Sequence, residues 1–280
     1  MALREYIDSF FQRRWPNGFD CPSCGHDDYY LIRTRRLPLY QCRLCKHQTN
    51  VTAGTIMNKS RTPLDKWAAA IDLLGSTSGV NALQLAAAIG VTHKVAWNIL
   101  RKFRSAIERI EAARKLEGTI HAGLRAFAPS SIFIFLPHRH YRRERVVSVC
   151  ASVDPSSMPT AVKIDIVHKE DLVPDCKELT KLGEARLLAR HARQGANAVL
   201  LNDVRMHRSP LRHCFDEAKQ WMNRLFNGVA TRYLQSYLNE FCYRWNASAQ
   251  GASLRDKWYE LCFDVLRQPQ QDTPRSLAAA

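Results

Sequence analysis

Four cysteines near the start of the chain form two C-x-x-C pairs, Cys21 with Cys24 and Cys42 with Cys45. Each pair makes a tight turn that aims two thiolates at one point, and two facing turns complete a tetrahedral zinc site. Because four thiolates leave no open coordination position, we expect one structural zinc per chain. Gly25 should adopt a positive φ just after the first pair. A redox dithiol pair is the weaker alternative.

The net charge restricts the class of partner. The chain of 280 residues carries 41 Lys and Arg against 26 Asp and Glu, a formal charge of +15. Such an excess favours a polyanion, and nucleic acid is the commonest. No apolar run is long enough to span a bilayer, and the start of the chain has no apolar export signal. We therefore expect no membrane partner and a cytoplasmic location, where cysteine pairs favour metal over disulfides.

Changes in composition divide the chain into five predicted segments. Residues 1–18 should form a helix that ends at a Pro-Asn-Gly run, since proline and glycine together stop a helix. Residues 19–58 hold the cysteine pairs and form the zinc ribbon. Residues 59–116 are helical, and residues 117–267 carry β-type runs followed by helices. Residues 268–280 are polar and are predicted to be disordered.

Short local signals refine the first half. Strands are predicted at Tyr29–Thr34 and Leu39–Gln41, on either side of a basic turn at Arg35 and Arg36. Both arginines are candidates for DNA contacts, because basic side chains commonly bind phosphates. A helix at Leu64–Leu74 should follow, opened by a Thr-Pro pair.

Two further helices are predicted with a glycine-containing turn between them. The first is Ala82–Ile89, Gly90 makes the turn, and Thr92 caps a second helix that runs from His93 to about residue 115. This order is typical of a helix-turn-helix, whose second helix enters the DNA major groove by its N-terminal turn. The alternative is an ordinary helical hairpin with a solvated basic face.

The exposed face of that second helix carries the candidate DNA contacts. Asn bonds adenine and Arg or Lys bonds guanine through the major groove, whereas neighbouring cations contact phosphates. The candidates for base contacts are His93, Lys94, Asn98 and Arg101, and those for phosphate contacts are Lys102 and Arg104.

Beyond residue 117 the pattern becomes that of an α/β core. Strands are predicted at Ser131–Leu136, Arg145–Val153 and Ala161–Val167, with a hairpin turn between the last two, and helices at Glu184–Gln194, Leu211–Leu225 and Thr231–Trp245. An arginine-rich run at residues 138–145 includes Arg142 and Arg143. The run is either a phosphate clamp or a solvated face.

Two stretches resemble a known family. Residues 48–56 read QTNVTAGTI, and residues 218–246 hold a closing helix with Leu234, Tyr237, Glu240, Arg244 and Asn246. Together with the cysteine pairs, they resemble the zinc-ribbon transposases of bacterial insertion-sequence family 1595. The resemblance implies an RNase-H-like core that cuts and joins DNA with two Mg²⁺ or Mn²⁺ ions held by carboxylates. It also implies a homo-oligomer assembled on DNA in the bacterial nucleoid.

The positions that the resemblance assigns to catalytic acids carry other residues. The family's first strand, with the pattern G-x-V-E-V-D-E, falls on residues 118–124, where no acid stands. The stretch for the second acid offers only Glu184, and Arg212 and His213 occupy the place of the third ligand. No catalytic residue is therefore predicted, and the remaining candidates for an active core are Asp154, Asp165, Asp203 and Glu240.

The predicted fold class is α+β multidomain: a zinc ribbon, a helical helix-turn-helix domain, and an α/β RNase-H-like core with C-terminal helices. The leading hypothesis is a transposase relative with a degenerate cutting site that binds double-stranded DNA sequence-specifically, as a regulator, targeting factor or accessory factor. One alternative is an active transposase with displaced carboxylates and Mg or Mn as cofactor. The other is a zinc-ribbon scaffold that binds a protein partner.

Overall fold

The computed structural model describes residues 3–127, 145–174, 176–226 and 229–264, and within them the protein has a mixed α/β structure. The chain divides into two compact units: one holds the residues up to Asp72 and those from Trp258 onward, and the other is Leu73–Lys257. The predicted strand Ser131–Leu136, the arginines Arg142 and Arg143, and the tail 268–280 lie outside the described residues. No described helix is both long and apolar enough to cross a bilayer.

The first unit begins with helix α1 (Leu3–Arg14) and a small antiparallel sheet in the order β1-β2-β3. The strands are β1 (Tyr29–Ile32), β2 (Leu39–Cys42) and β3 (Gln48–Thr49). Aromatic rings fill the space between helix and sheet, with ring centroids of Trp15 and Phe19 5.1 Å apart and those of Tyr29 and Tyr40 5.1 Å apart. The ribbon therefore has an aromatic core beside its cysteines.

The two boundaries between the units along the chain fall within two helices. Helix α2 (Leu64–Leu74) has the predicted bounds and buries Trp67. The last helix, α9 (Leu254–Asp264), was not predicted from the sequence. Its Tyr259 and Phe263 rings lie edge-on to Phe10 of α1, each at 6.1 Å between centroids. The first unit is thus closed by aromatic contacts between the two ends of the chain.

The second unit starts with a pair of helices, α3 (Ala82–Ile89) and α4 (His93–Ala113). Asn81 and Gln84 form a capping box at the start of α3, which satisfies two backbone N–H groups that a helix start otherwise leaves unpaired. Gly90 ends α3 in the left-handed conformation with φ 62°, and the Thr92 side chain caps α4. Both helices begin at the predicted residues because these signals are local.

A four-stranded sheet with the order β6-β5-β4-β7 forms the centre of the second unit. Its strands are β4 (Thr119–Phe127), β5 (Arg145–Val153), β6 (Pro159–Ile166) and β7 (Asn197–Leu200). The first three are antiparallel neighbours, and β7 runs parallel to β4. The predicted hairpin between β5 and β6 is confirmed.

Helices cover both faces of this sheet. They are α5 (Lys181–His191), α6 (Asp203–Arg208), α7 (Pro210–Phe226) and α8 (Leu234–Ala249). On one face Val147 and Val149 of β5 belong to a buried cluster with residues of α7 and α8, such as Trp221 and Leu238. On the other face Cys150, from the alternate position of β5, clusters with Leu187 of α5. The alternation is that of a strand buried on both sides.

The prediction for the core was less accurate than that for the first half. The short elements β7 and α6 were missed, and α5 begins at Lys181 instead of Glu184. The predicted start was too late because it left Gly183 outside the helix, and glycine disfavours helix interiors. It is required here, since a Cβ at this position would lie 2.2 Å from the backbone oxygen of Asp171.

A buried ionic network joins α4, α8, the last residue of α2 and the loop that follows it. The Glu240 carboxylate accepts from Arg104 Nε at 2.7 Å and from Arg244 Nε at 3.3 Å. Arg244 also donates to the backbone oxygens of Leu74 and Ser76. Burial alone would raise the pKa of Glu240, but the two guanidinium groups outweigh it and hold the pKa below its ordinary value. The carboxylate is therefore ionised at neutral pH.

Neutralising this carboxylate should destabilise the fold. In Glu240→Gln two guanidinium groups remain buried without the carboxylate that they share, and breaking a buried ion pair costs about 3–5 kcal/mol. We expect a loss of that size in the free energy of unfolding, measured by urea denaturation. Glu108→Gln, on the exposed side of α4, is the matched control and should change stability by less than about 0.5 kcal/mol. Equal stability of the two variants would contradict the role given to the network.

Candidate metal centre and nucleic-acid surface

The two cysteine pairs form a pair of matching turns. In the first, Gly25 N–H donates to Cys21 O at 2.9 Å, and Gly25 has φ 72°. In the second, Lys46 N–H donates to Cys42 O at 3.1 Å, and Lys46 has φ 60°. The positive φ at Gly25 was predicted. That at Lys46 was not, because a lysine gives no sequence signal for the left-handed region.

The four sulfurs converge on one point. Cys21 Sγ lies 3.6 Å from Cys45 Sγ, and Cys24 Sγ lies 3.6 Å from Cys42 Sγ. All four atoms lie within 4.8 Å of one another, and within the described residues no other group of three or more His, Cys, Asp or Glu residues does so. A tetrahedral zinc with bonds of about 2.3 Å requires sulfurs about 3.8 Å apart. The spacing therefore fits zinc and is far longer than the disulfide distance of about 2.05 Å.

The protonation of the sulfurs also favours a cation at this point. A backbone hydrogen bond from His47 is the largest effect that lowers the pKa of Cys45, to about 6. At Cys24 a backbone hydrogen bond from His26 acts in the same direction, but the neighbouring sulfurs and burial outweigh it and raise the pKa to about 12. Four sulfurs this close cannot all ionise without a positive charge between them, and zinc supplies that charge.

The ribbon carries an exposed basic surface. Arg35 and Arg36 are exposed in the connection between β1 and β2, as predicted for a turn. A feature that the sequence did not reveal is Tyr30, half of whose surface is exposed. Its ring centroid lies 4.7 Å from the guanidinium carbon of Arg43 and 5.6 Å from Lys46 Nζ. An exposed aromatic ring close to two cations is suited to contact with nucleic acid.

Helix α4 presents four of its six candidate residues to solvent. His93, Lys94, Asn98 and Arg101 are exposed and follow one another along the face that does not pack on the core. This arrangement leaves the N-terminal half of α4 open to a partner. These residues remain predicted DNA contacts.

The other two candidates lie in different surroundings. Lys102 is half-buried, and burial lowers its pKa. Arg104 is 6% exposed and is bound to Glu240. The expected phosphate contact of Arg104 is corrected accordingly, because its guanidinium is part of the interior. Glu240 is corrected for the same reason: both its oxygens bond arginines, so it is not a ligand for a divalent cation.

The remaining acidic candidates are not brought together. Asp154 accepts the Met158 N–H in the β5–β6 turn, and Asp203 is exposed at the start of α6, 3.9 Å from Arg125. Asp165 accepts from Gln235 at 2.6 Å and lies 3.3 Å from His191. Burial raises the pKa of Asp165 and lowers that of His191 to about 3, so this histidine is neutral at pH 7. The three acids therefore lie in different elements: the β5–β6 turn, strand β6 and the start of helix α6.

A cavity of about 740 Å³ lies at the ends of β4 and β7 and was not predicted from the sequence. Three carboxylates line it, Glu178, Glu184 and Asp203. Gly123 of β4 also lines this cavity. An added Cβ at Gly123 would lie 2.6 Å from the sulfur of Met206, which is fully buried.

Comparison with known proteins identifies the N-terminal segment. Residues 5–48 match the family model described as the transposase zinc-ribbon domain. The match includes all four cysteines and the three strands up to Gln48. Searches of curated proteins and of solved structures gave no significant match. The similarity to known proteins is therefore limited to residues 5–48.

Loss of one cysteine should release the metal. The purified protein should contain about one zinc per chain, and Cys42→Ser should contain much less, because the tetrahedral site loses a thiolate. Metal content is measured by mass spectrometry. Cys176→Ser replaces an exposed cysteine outside the quartet and should retain the zinc. Since thiolates must stay deprotonated to bind, zinc should also be lost as the pH falls. Zinc-free wild-type protein with an intact fold would refute the assignment.

Proposed function

We propose that this chain is a transposase-family protein that binds double-stranded DNA and whose core has lost its cutting chemistry. The observation that carries the proposal is the match of residues 5–48 to the transposase zinc-ribbon domain, in a chain with a formal charge of +15. Such a charge gives strong, salt-dependent attraction to DNA. The protein would act as a regulator, a targeting factor or an accessory factor.

We propose that α3 and α4 form a helix-turn-helix that recognises the DNA sequence. The turn at Gly90, the cap at Thr92 and the exposed start of α4 support this assignment. In this arrangement Asn98 and Arg101 have the side chains that distinguish bases in the major groove. Arg35 and Arg36 of the ribbon would add contacts to phosphates.

For the sheet-containing unit we propose an RNase-H-like core without a working metal site. Support for the fold comes from a mixed sheet with helices on both faces. Support for the loss comes from Gly123, which occupies the aspartate position of the G-x-V-E-V-D-E pattern. The buried Met206 side chain fills the space that a carboxylate would need. A two-metal mechanism requires converging carboxylates, and the described residues contain no such group.

One observation favours a second candidate, an active metal-dependent transposase. Glu178, Glu184 and Asp203 line the same cavity at the ends of β4 and β7. Binding of DNA and Mg²⁺ could draw such acids together, since carboxylate oxygens are the ligands that this ion prefers. The two candidates differ in whether the protein cuts DNA.

Removing two cations from α4 should weaken DNA binding. We expect Lys94→Ala with Arg101→Ala to raise the Kd for duplex DNA about tenfold or more and to reduce the slope of log Kd against log salt. Fluorescence anisotropy at several salt concentrations measures both quantities. Lys169→Ala with Lys181→Ala removes the same charge from exposed sites on the core and should have a smaller effect. Equal effects of the two double variants would contradict a reading role for α4.

The purified protein should not nick DNA. We expect supercoiled plasmid to stay intact with Mg²⁺ or Mn²⁺, because no described carboxylates converge on a metal site. The assay is the conversion of supercoiled to open-circular plasmid on a gel. Metal-dependent nicking that is lost in Asp203→Ala or Glu184→Gln, but kept in Asp154→Ala, would support the second candidate instead.

A further inference from the structure

A second cavity lies beside the start of α4. Its volume is about 320 Å³, within the range of small-ligand sites. Aromatic rings form much of its wall: Trp97 of α4, Phe226 of α7, and Tyr233 and Tyr237 at the start of α8. Tyr233 is 39% exposed, so an aromatic face is accessible from solvent. The wall therefore offers stacking surfaces for a flat ring.

A positively charged side chain, that of Arg104, lies next to two of these rings. Arg104 lines the cavity, with its guanidinium carbon 3.9 Å from the Tyr237 ring centroid and 5.4 Å from that of Phe226. Arg104 and Arg244 both pair with the carboxylate of Glu240. The Nη2 atom of Arg104 is buried and has no hydrogen-bond partner. An unsatisfied N–H of this kind is uncommon in a protein interior and needs an explanation.

The cavity adjoins the surface proposed to contact DNA. His93, the first residue of α4 and a candidate base contact, is part of the cavity wall. Arg101, another candidate, has its guanidinium carbon 5.6 Å from the Trp97 ring centroid. A DNA strand held along the exposed face of α4 would therefore pass the aromatic wall, with its phosphates near cations.

We propose that this cavity accepts one unpaired nucleobase of the bound DNA. Flat aromatic walls match the faces of a base, and the surrounding positive charge matches the anionic strand that carries it. The proposal rests on the proposed DNA binding by α4 and deepens it. It means that the protein prefers DNA in which a base has left the helix, as at a distorted or partly opened site.

Three duplexes of identical flanking sequence test the proposal with the full-length, zinc-loaded protein. One is fully paired, one has a single unpaired adenine, and one has an abasic residue in place of that adenine. The abasic duplex carries the same extra backbone unit without the base, so the ratio of its Kd to that of the adenine duplex isolates the base. Stacking on aromatic side chains contributes about 1–3 kcal/mol, so we expect a ratio of roughly five or more.

Substitutions in the wall locate the effect. Trp97→Ala should reduce the ratio toward one, and Trp97→Phe should restore much of it, because phenylalanine keeps a stacking face. Tyr233→Ala removes an exposed ring and should also lower the ratio with little risk to folding, which circular dichroism checks. Tyr30→Ala, an exposed ring on the ribbon, should leave the ratio unchanged.

The outcomes separate the two proposals. Equal, salt-dependent binding of all three duplexes would overturn the cavity proposal and leave DNA binding in place. A base preference that survives both Trp97→Ala and Tyr233→Ala would also overturn it, since the base would then be bound elsewhere. Failure to bind any duplex would refute the proposed DNA binding together with the cavity proposal.

Discussion

The carboxylate of Glu240 fixes the position of α4, because it is the counter-ion that two buried guanidinium groups share. Charged groups lose their hydration when they are buried, so such a network is stable only in the one geometry that pairs them. Arg104 ties α4 to α8, and Arg244 ties α8 to the backbone oxygens of Leu74 and Ser76. The helix with the exposed candidate contacts is therefore held by the same unit that contains the sheet.

Sequence signals that act over a few residues predicted the structure well. The cysteine turns, the cap at Thr92, the turn at Gly90 and the bounds of β5 depend on neighbours in the chain. Signals that depend on distant contacts were misread. Arg104 has the sequence context of a phosphate contact, yet its partner Glu240 lies 136 residues away. Gly183 has the context of a helix breaker, and only its contact with the Asp171 backbone explains it.

The same distinction applies to the candidate sites. The metal centre could be predicted because its four ligands form two C-x-x-C pairs with a spacing typical of zinc sites. The cavity beside α4 could not, since its wall combines residues from α4, α7 and α8 that share no motif. Nor could the exposed ring of Tyr30, because the strand β1 that carries it is short and has no clear alternation. Sites made from separate elements become visible only when the packing is known.

In the proposed function, Gly123 and Met206 give a physical reason why the core would not easily acquire a catalytic metal site. A divalent-metal site needs acidic oxygens and bound water, whereas Met206 is fully buried against the central strand. An aspartate introduced at Gly123 would meet the Met206 sulfur and would lose hydration there. Recovery would therefore require repacking of α6 as well as new acids. In the proposed function, the sheet supports α8, which bonds the backbone of β6 through Asn246. Glu240 of α8 in turn bonds Arg104 of α4.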